Sequence, residues 1–198
     1  MNKNKSTKNI IIIFASVFFV LFIALACRGI YVSTIHKREK QVKDYLIENA
    51  RRNAYSMKFV EDNKACIEKE NVKYYYLINP TNVTFYSCEY IVKDESENIK
   101  DGNVEITITD LGSGKINVFY HDTRTMILDD GTEEYNGSCG NFTSNAEFDK
   151  ESFYINYFVP DAEHKTLEDY NSIMKFTTVE ELKKHYNEAL SICEVLNS

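Results

Sequence analysis

Val104-Glu105-Ile106-Thr107-Ile108-Thr109-Asp110-Leu111-Gly112-Ser113-Gly114-Lys115-Ile116-Asn117-Val118-Phe119-Tyr120 decides the fold. Apolar and polar residues alternate on both sides of Gly112-Ser113-Gly114, the period of a strand with one buried face. Two such runs joined by a glycine-rich turn read as an antiparallel hairpin. Working upstream, Val72, Tyr74, Tyr76 and Ile78 keep the same period, and Asn79-Pro80-Thr81-Asn82 reads as a turn. Tyr86, Cys88, Tyr90 and Val92 then fall on one face of a further strand. Downstream, Phe153, Ile155, Tyr157 and Val159 alternate before Pro160 ends the run. The polar stretches Asp94 to Asn103 and Asp129 to Asn141 read as loops, and Thr123 to Leu128 either prolongs a strand or returns from it. The expectation is one antiparallel sheet of five to seven strands.

Beyond the strands the period changes to 3.6. Thr178 followed by Glu181 is a capping box, and Leu182, Tyr186, Ala189, Cys193 and Leu196 form an apolar stripe behind it. This predicts a C-terminal helix packed on the sheet. From Ser33 to Lys69 no Gly or Pro interrupts the chain, and Val42, Leu46, Met57 and Val60 recur at helical spacing. Glu39 with Lys43 and Glu48 with Arg52 add favourable i,i+4 pairs. That segment reads as a stalk helix, with a possible hinge at Gly29.

Ahead of it, Ile10 to Cys27 carries no charge. Eighteen helical residues reach ~27 Å, close to the ~30 Å hydrocarbon core of a bilayer. Ile30, Tyr31 and Val32 extend the apolar run past Arg28, whose head can snorkel. The organisation expected is a basic cytoplasmic tail over 1–9, a transmembrane anchor over 10–32, a stalk over 33–69 and an α+β domain over 70–198. Ala24-Leu25-Ala26 also matches a signal-peptide cleavage pattern, and Cys27 a lipidated cysteine, but the run is longer than a usual signal h-region.

The chain has 198 residues and a formal charge of −7, unevenly spread. Residues 1–58 hold 11 basic and 3 acidic side chains, whereas 59–198 hold 12 basic and 27 acidic. The acidic part repels phosphate backbones, so nucleic acid is not an expected partner. The basic part flanks the apolar run, where the lipid bilayer is the natural partner. Lys3, Lys5 and Lys8 before that run have the layout of a signal anchor, which places the C-terminal domain outside the cytoplasm. The 19 Asn, 19 Ile and 18 Lys point to an A/T-rich coding sequence and hence to a bacterial envelope.

Four cysteines lie beyond the anchor. An exported domain would pair them in one of three ways that sequence alone does not choose between; the preferred set is Cys66 with Cys193, which would tie the stalk to the C-terminal helix, and Cys88 with Cys139. No C-x-x-C or closely spaced histidines mark a metal site, and no cofactor motif is present. Leu111-Gly112-Ser113-Gly114-Lys115-Ile116 resembles the end of a phosphate-binding loop, but Thr109 stands at the first glycine and Ile116 at the hydroxyl position. Cys139 with His121 as base is the one nucleophile arrangement available. The acidic turn Asp129 to Glu134 offers oxygen ligands without EF-hand spacing, and Asp161, Glu163, His164, Glu168 and Asp169 form a polar group without a catalytic partner. Fourteen Tyr and no Trp stand out. Some build the core; Tyr75, Tyr86, Tyr90 and Tyr154 are candidates for an amphipathic binding face for a protein or a glycan.

The order of apolar helix, stalk helix and antiparallel sheet resembles the layout of pilin-type subunits. It is similar, too, to membrane-anchored nuclear-transport-factor-like domains of secretion systems. These resemblances imply an envelope assembly role. With no convergent catalytic set in the sequence, the primary expectation is a non-enzymatic, single-pass binding or assembly module whose partner is another envelope protein. A pilin-like structural subunit is the second expectation and an extracytoplasmic hydrolase the third.

Overall fold

A computed structural model of the chain describes residues 3–93, 95–159 and 177–198, with side chains from residue 13 onward. Helix α1 runs unbroken over Lys3–Arg52, and fifty residues at about 1.5 Å each make it ~75 Å long. Eight strands follow: β1 (Ser56–Glu61), β2 (Lys64–Lys69), β3 (Val72–Ile78), β4 (Val83–Lys93), β5 (Ile99–Gly112), β6 (Lys115–Ile127), β7 (Glu133–Asn145) and β8 (Tyr154–Val159). Helix α2 (Val179–Asn197) closes the chain. The strands lie in sequence order, each antiparallel to the next. The architecture is α+β, as the periodicity implies, but the sheet has eight strands rather than five to seven.

Three expected loops or helical stretches are strands instead. The stalk helix does not reach Lys69. It stops at Arg52 in a Schellman arrangement: Tyr55 N–H donates to Ala50 O at 2.9 Å, Ala54 N–H to Arg51 O at 3.2 Å, and Ala54 turns left-handed at φ 58°. Residues 56–69 then form the β1–β2 hairpin across Asp62-Asn63. The stretch expected as a loop to Asn141 is mostly β7, paired along its whole length with β6. The loop expected to end at Asn103 ends at Ile99.

Strand alternation divides the sheet into two faces. One face is the core: Ile106, Ile108, Ile116, Val118, Tyr120 and Phe142 on its central strands are all buried. Helix α2 lies on this face. Its capping box forms as expected, Glu181 N–H donating to Thr178 Oγ1 at 3.2 Å and Thr178 N–H to Glu181 Oε2 at 2.9 Å. Tyr76 Oη donates to Ala189 O at 2.9 Å, Tyr74 Oη donates to Glu188 at 2.9 Å, and Phe85 meets Tyr186 edge-on at 5.6 Å. Lys69 closes the clamp on Glu188, whose carboxyl it holds below its usual range. Beside α2 the end of α1 joins the same core, with Leu46 and Ala50 each only 2% exposed. The C-terminal end of α1 is therefore part of the domain core.

The apolar part of α1 does not pack on anything in this fold. It is long and apolar enough to cross a membrane, with a mean hydropathy of 2.4 over its most apolar window and none of that window buried. Gly29 is helical like its neighbours, so no hinge breaks the helix there.

The expected disulfides do not form. Cys66 aligns with Lys58 and Tyr75, on the face opposite Ala65 and Ile67, while Cys193 lies under the core face with its Sγ donating to Val83 O at 3.2 Å. The sheet separates the two thiols. Cys88 is on β4 and points into the core, whereas Cys139 is on β7 and points away from it. Three strand spacings separate β4 from β7, ~14 Å, twice the ~7 Å reach of a disulfide. All the cysteines are free. Burial pushes the thiols of Cys66 and Cys193 up, and that of Cys88 to about 12.

Candidate functional site

Among the described residues no helix covers the second face of the sheet, and register alignment identifies what stands on it. Cys66, Tyr75, Ser87, Thr109, Asn117, Thr143 and Tyr154 align across β2 to β8. The adjacent row contains Glu89, Thr107, Phe119, Asn141 and Tyr157.

Two bulges decide which aromatic rings reach this face. Tyr75 aligns with Ser87 but Tyr76 with Phe85, so Tyr86 is an extra residue in β4. The bulge breaks the phase expected for Tyr86, Cys88, Tyr90 and Val92: Cys88 and Tyr90 face the core and Tyr86 the open side. In β8, Asn141 aligns with Tyr157 and Phe142 with Ile155, leaving Asn156 as the extra residue. That places Phe158 in the core and turns Tyr157 outward, against simple alternation from Phe153.

Of the four tyrosines singled out from the sequence, Tyr75, Tyr86 and Tyr154 are on the open face. Tyr90 is not; it is buried on the core side, its ring 4.4 Å from that of His185. Tyr75 and Tyr86 flank one cation, with Lys64 Nζ at 4.9 Å and 5.0 Å from their ring centroids. Tyr75 Oη donates to Glu89 at 3.0 Å, and burial together with that carboxylate pushes its hydroxyl pKa up. Tyr154 stands at the far edge, 48% exposed.

Between these edges is a neutral strip that sequence reading missed. Asn117 and Asn141 exchange amide hydrogen bonds, each Nδ2 donating to the other's Oδ1 at 2.9 Å. Asn117 Nδ2 is also 2.9 Å from Phe142 O, and Asn156 Nδ2 donates to Asn141 Oδ1 at 2.6 Å. Phe119 and Tyr157 rise on either side of Asn141, 37% and 43% exposed. The alternation of Asn117 and Phe119 in the sequence marks outward positions of β6, but the residues of β7 show no strand period that would supply their partners.

The same face brings Glu105, His121 and Cys139 into one row. The candidate nucleophile and base are thus cross-strand neighbours on the same face of the sheet, His121 exposed and Cys139 partly so. Other candidates resolve into structure. Gly112, Ser113 and Gly114 all have positive φ, at 79°, 55° and 73°, and close the β5–β6 hairpin. Asp130 accepts from Thr132 N–H at 2.9 Å and from its hydroxyl at 2.6 Å, which caps the β6–β7 turn and lowers the Asp130 pKa. Among the described residues no three His, Cys, Asp or Glu side chains converge as metal ligands. Asp161, Glu163, His164, Glu168 and Asp169 lie outside the described residues.

Comparison with protein-family models, curated proteins and solved structures finds no match to this chain.

Proposed function

We propose that this chain is a single-pass, membrane-anchored binding or assembly module of the cell envelope. Residues 10–32 lie in the membrane, the domain stands outside the cytoplasm, and the open sheet face meets another envelope component. The observation that carries this reading is the unburied apolar helix that continues into the domain core. Ten large apolar residues between Ile13 and Leu25 are each at least 45% exposed. At about 1.5–3 kcal/mol per side chain, leaving them in water would cost roughly 15–30 kcal/mol, more than the ~5–15 kcal/mol that a domain holds in reserve. A bilayer supplies the missing burial.

The distance between bilayer and domain follows from the helix. Val32 ends the apolar run and Val42 is the first residue packed against the core, so ten residues, ~15 Å, separate the two. Lys37, Arg38 and Lys40 occupy that short collar, where each basic side chain near anionic headgroups contributes about 1 kcal/mol. Lys3, Lys5 and Lys8 support export of the C-terminal side; the unpaired cysteines lend it no support. Alkaline carbonate extraction of the full-length chain tests the anchor: it stays with the membrane pellet, and release with an intact N-terminus overturns the reading. Cys139 is the only partly exposed cysteine beyond the anchor. Its labelling in intact cells by a membrane-impermeant thiol reagent supports the orientation, and labelling only after lysis reverses it.

A further inference from the structure

We infer that the strip formed by Phe119, Asn117, Asn141, Asn156, Tyr154 and Tyr157 binds an uncharged glycan chain. The inference rests on the reading of the open face as a binding surface and names the chemistry of what binds there. Three observations converge.

The first is charge. The chain beyond residue 58 carries 27 acidic and 12 basic side chains, yet the strip contains neither kind. Thr107, Thr109 and Thr143 complete its two rows, also neutral, and the titratable side chains Glu105 and His121 begin only in the next row. Within the strip a charged ligand would find no counter-ion and would lose its hydration without compensation.

The second is the amide platform. An asparagine side chain has two donor hydrogens and an oxygen with two lone pairs. Asn141 Oδ1 is filled by Asn117 and Asn156, and Asn117 Nδ2 by Asn141 and Phe142 O. What is left without a protein partner is one N–H of Asn141, one N–H and the oxygen of Asn156, and a lone pair on Asn117. These groups are held in place by the bonds already made, so a ligand does not bear the cost of ordering them. Mixed donors and acceptors on a fixed plane match vicinal hydroxyl groups, which both donate and accept.

The third is ring placement. Phe119 and Tyr157 stand on either side of Asn141 in one row, two strand spacings or roughly 9.6 Å apart. That is the length of about two sugar rings in an extended chain, whose C–H faces stack on aromatic rings while the hydroxyl edges reach the amides. Tyr154 extends the platform along β8. Threonine and asparagine fill the space between the rings, with no arginine anchor of the kind that protein hot spots favour.

The test uses the full-length chain in neutral-detergent micelles, passed over chitin and cellulose as uncharged glycans and over heparin as a charged one. Retention on chitin or cellulose is expected, unchanged from low to molar salt, with heparin inert. Phe119→Ala and Tyr157→Ala should each weaken retention about tenfold, and both rings are exposed enough to be removed without unfolding the domain. Lys100→Ala, away from the strip, should change nothing. No retention of the wild type on either uncharged glycan overturns the proposal, as does retention that survives loss of both rings. A photo-crosslinking residue at 154 in cells separates this failure from the wider one. A crosslink to a protein with no glycan retention overturns the glycan and keeps the binding face. Neither crosslink nor retention overturns both.

Discussion

Gly140 sits on β7 where Phe142 and Phe158 close over the core, and Gly140→Ala is the sharpest test of that packing. A Cβ at this position would lie 2.8 Å from a ring carbon of each phenylalanine and 3.2 Å from a second carbon of Phe142. Ordinary carbon contacts are about 3.5–4.0 Å, so the rings or the strand must move by close to 1 Å. Both rings are buried, and overpacking of this kind costs roughly 1–3 kcal/mol. An opposing effect is that alanine restricts the unfolded chain and returns about 0.4–1 kcal/mol. At mid-range, a clash of about 2 kcal/mol less about 0.7 leaves an expected net loss of about 1.3 kcal/mol, or a fall in Tm of roughly 3–5 °C for a chain of this size. Thermal unfolding of the full-length protein in neutral detergent, followed by near-ultraviolet circular dichroism, reads the shift. Phe158→Leu introduced with Gly140→Ala should recover part of it, with a coupling of about 0.5–3 kcal/mol between the two positions. An unchanged or raised Tm, or simple additivity with Phe158→Leu, would refute the placement of Gly140 under those rings.

Three further outcomes follow from the same packing. Leu46→Ala should cost about 2–5 kcal/mol in chemical denaturation because the end of α1 is part of the core, whereas Tyr45→Ala, on the exposed side of the same turn, should stay within about 0.5 kcal/mol. Gly29→Ala should be tolerated and should add helicity of about 1 kcal/mol, since an added Cβ there meets nothing within 4 Å and the helix does not bend. His185 is half-buried against Tyr90, and desolvation lowers its pKa from the usual 6.5. The unfolded chain then takes up its proton first, so stability is complete above pH 6.5 and falls as pH drops toward the lower folded value. Equilibrium unfolding across that range should show the slope, and His185→Phe should remove it while keeping the ring contact.

What the sequence makes legible, and what it hides, follows from how strongly each segment declares its period. Val104 to Tyr120 alternates cleanly, so the β5–β6 hairpin is readable, as are β3 from Val72 to Ile78 and α2 from its capping box. Strand β7 was hidden because its core-facing positions are Gly140, Phe142 and Ser144. Small residues there make room for the rings of neighbours, and alternation of size replaces alternation of polarity. The β1–β2 hairpin was hidden because Met57 and Val60 also fit a helical spacing, and Ala54 takes the left-handed cap where glycine is the usual marker. Half of the candidate face was legible: Tyr75, Tyr86 and Tyr154 are on it. Tyr90 falls on the core side and Tyr157 turns outward because a bulge shifts the phase by one residue, and nothing in the local composition of Tyr86 or Asn156 announces a bulge. The disulfide pairing failed for a related reason: which side of a strand Cys66 occupies cannot be read while its segment passes for a helix.

The continuity of α1 from bilayer to core is tested most directly by single spin labels placed from Ile13 to Arg52 in the bilayer-reconstituted, full-length chain. Oxygen collision should peak near Leu21 and fall away by Lys37. From Val42 onward, accessibility to a water-soluble relaxant should oscillate every 3.6 residues, with minima at Leu46 and Ala50. Free access of the aqueous relaxant to Phe22, or the absence of minima at Leu46 and Ala50, would contradict a single helix that runs from bilayer to core.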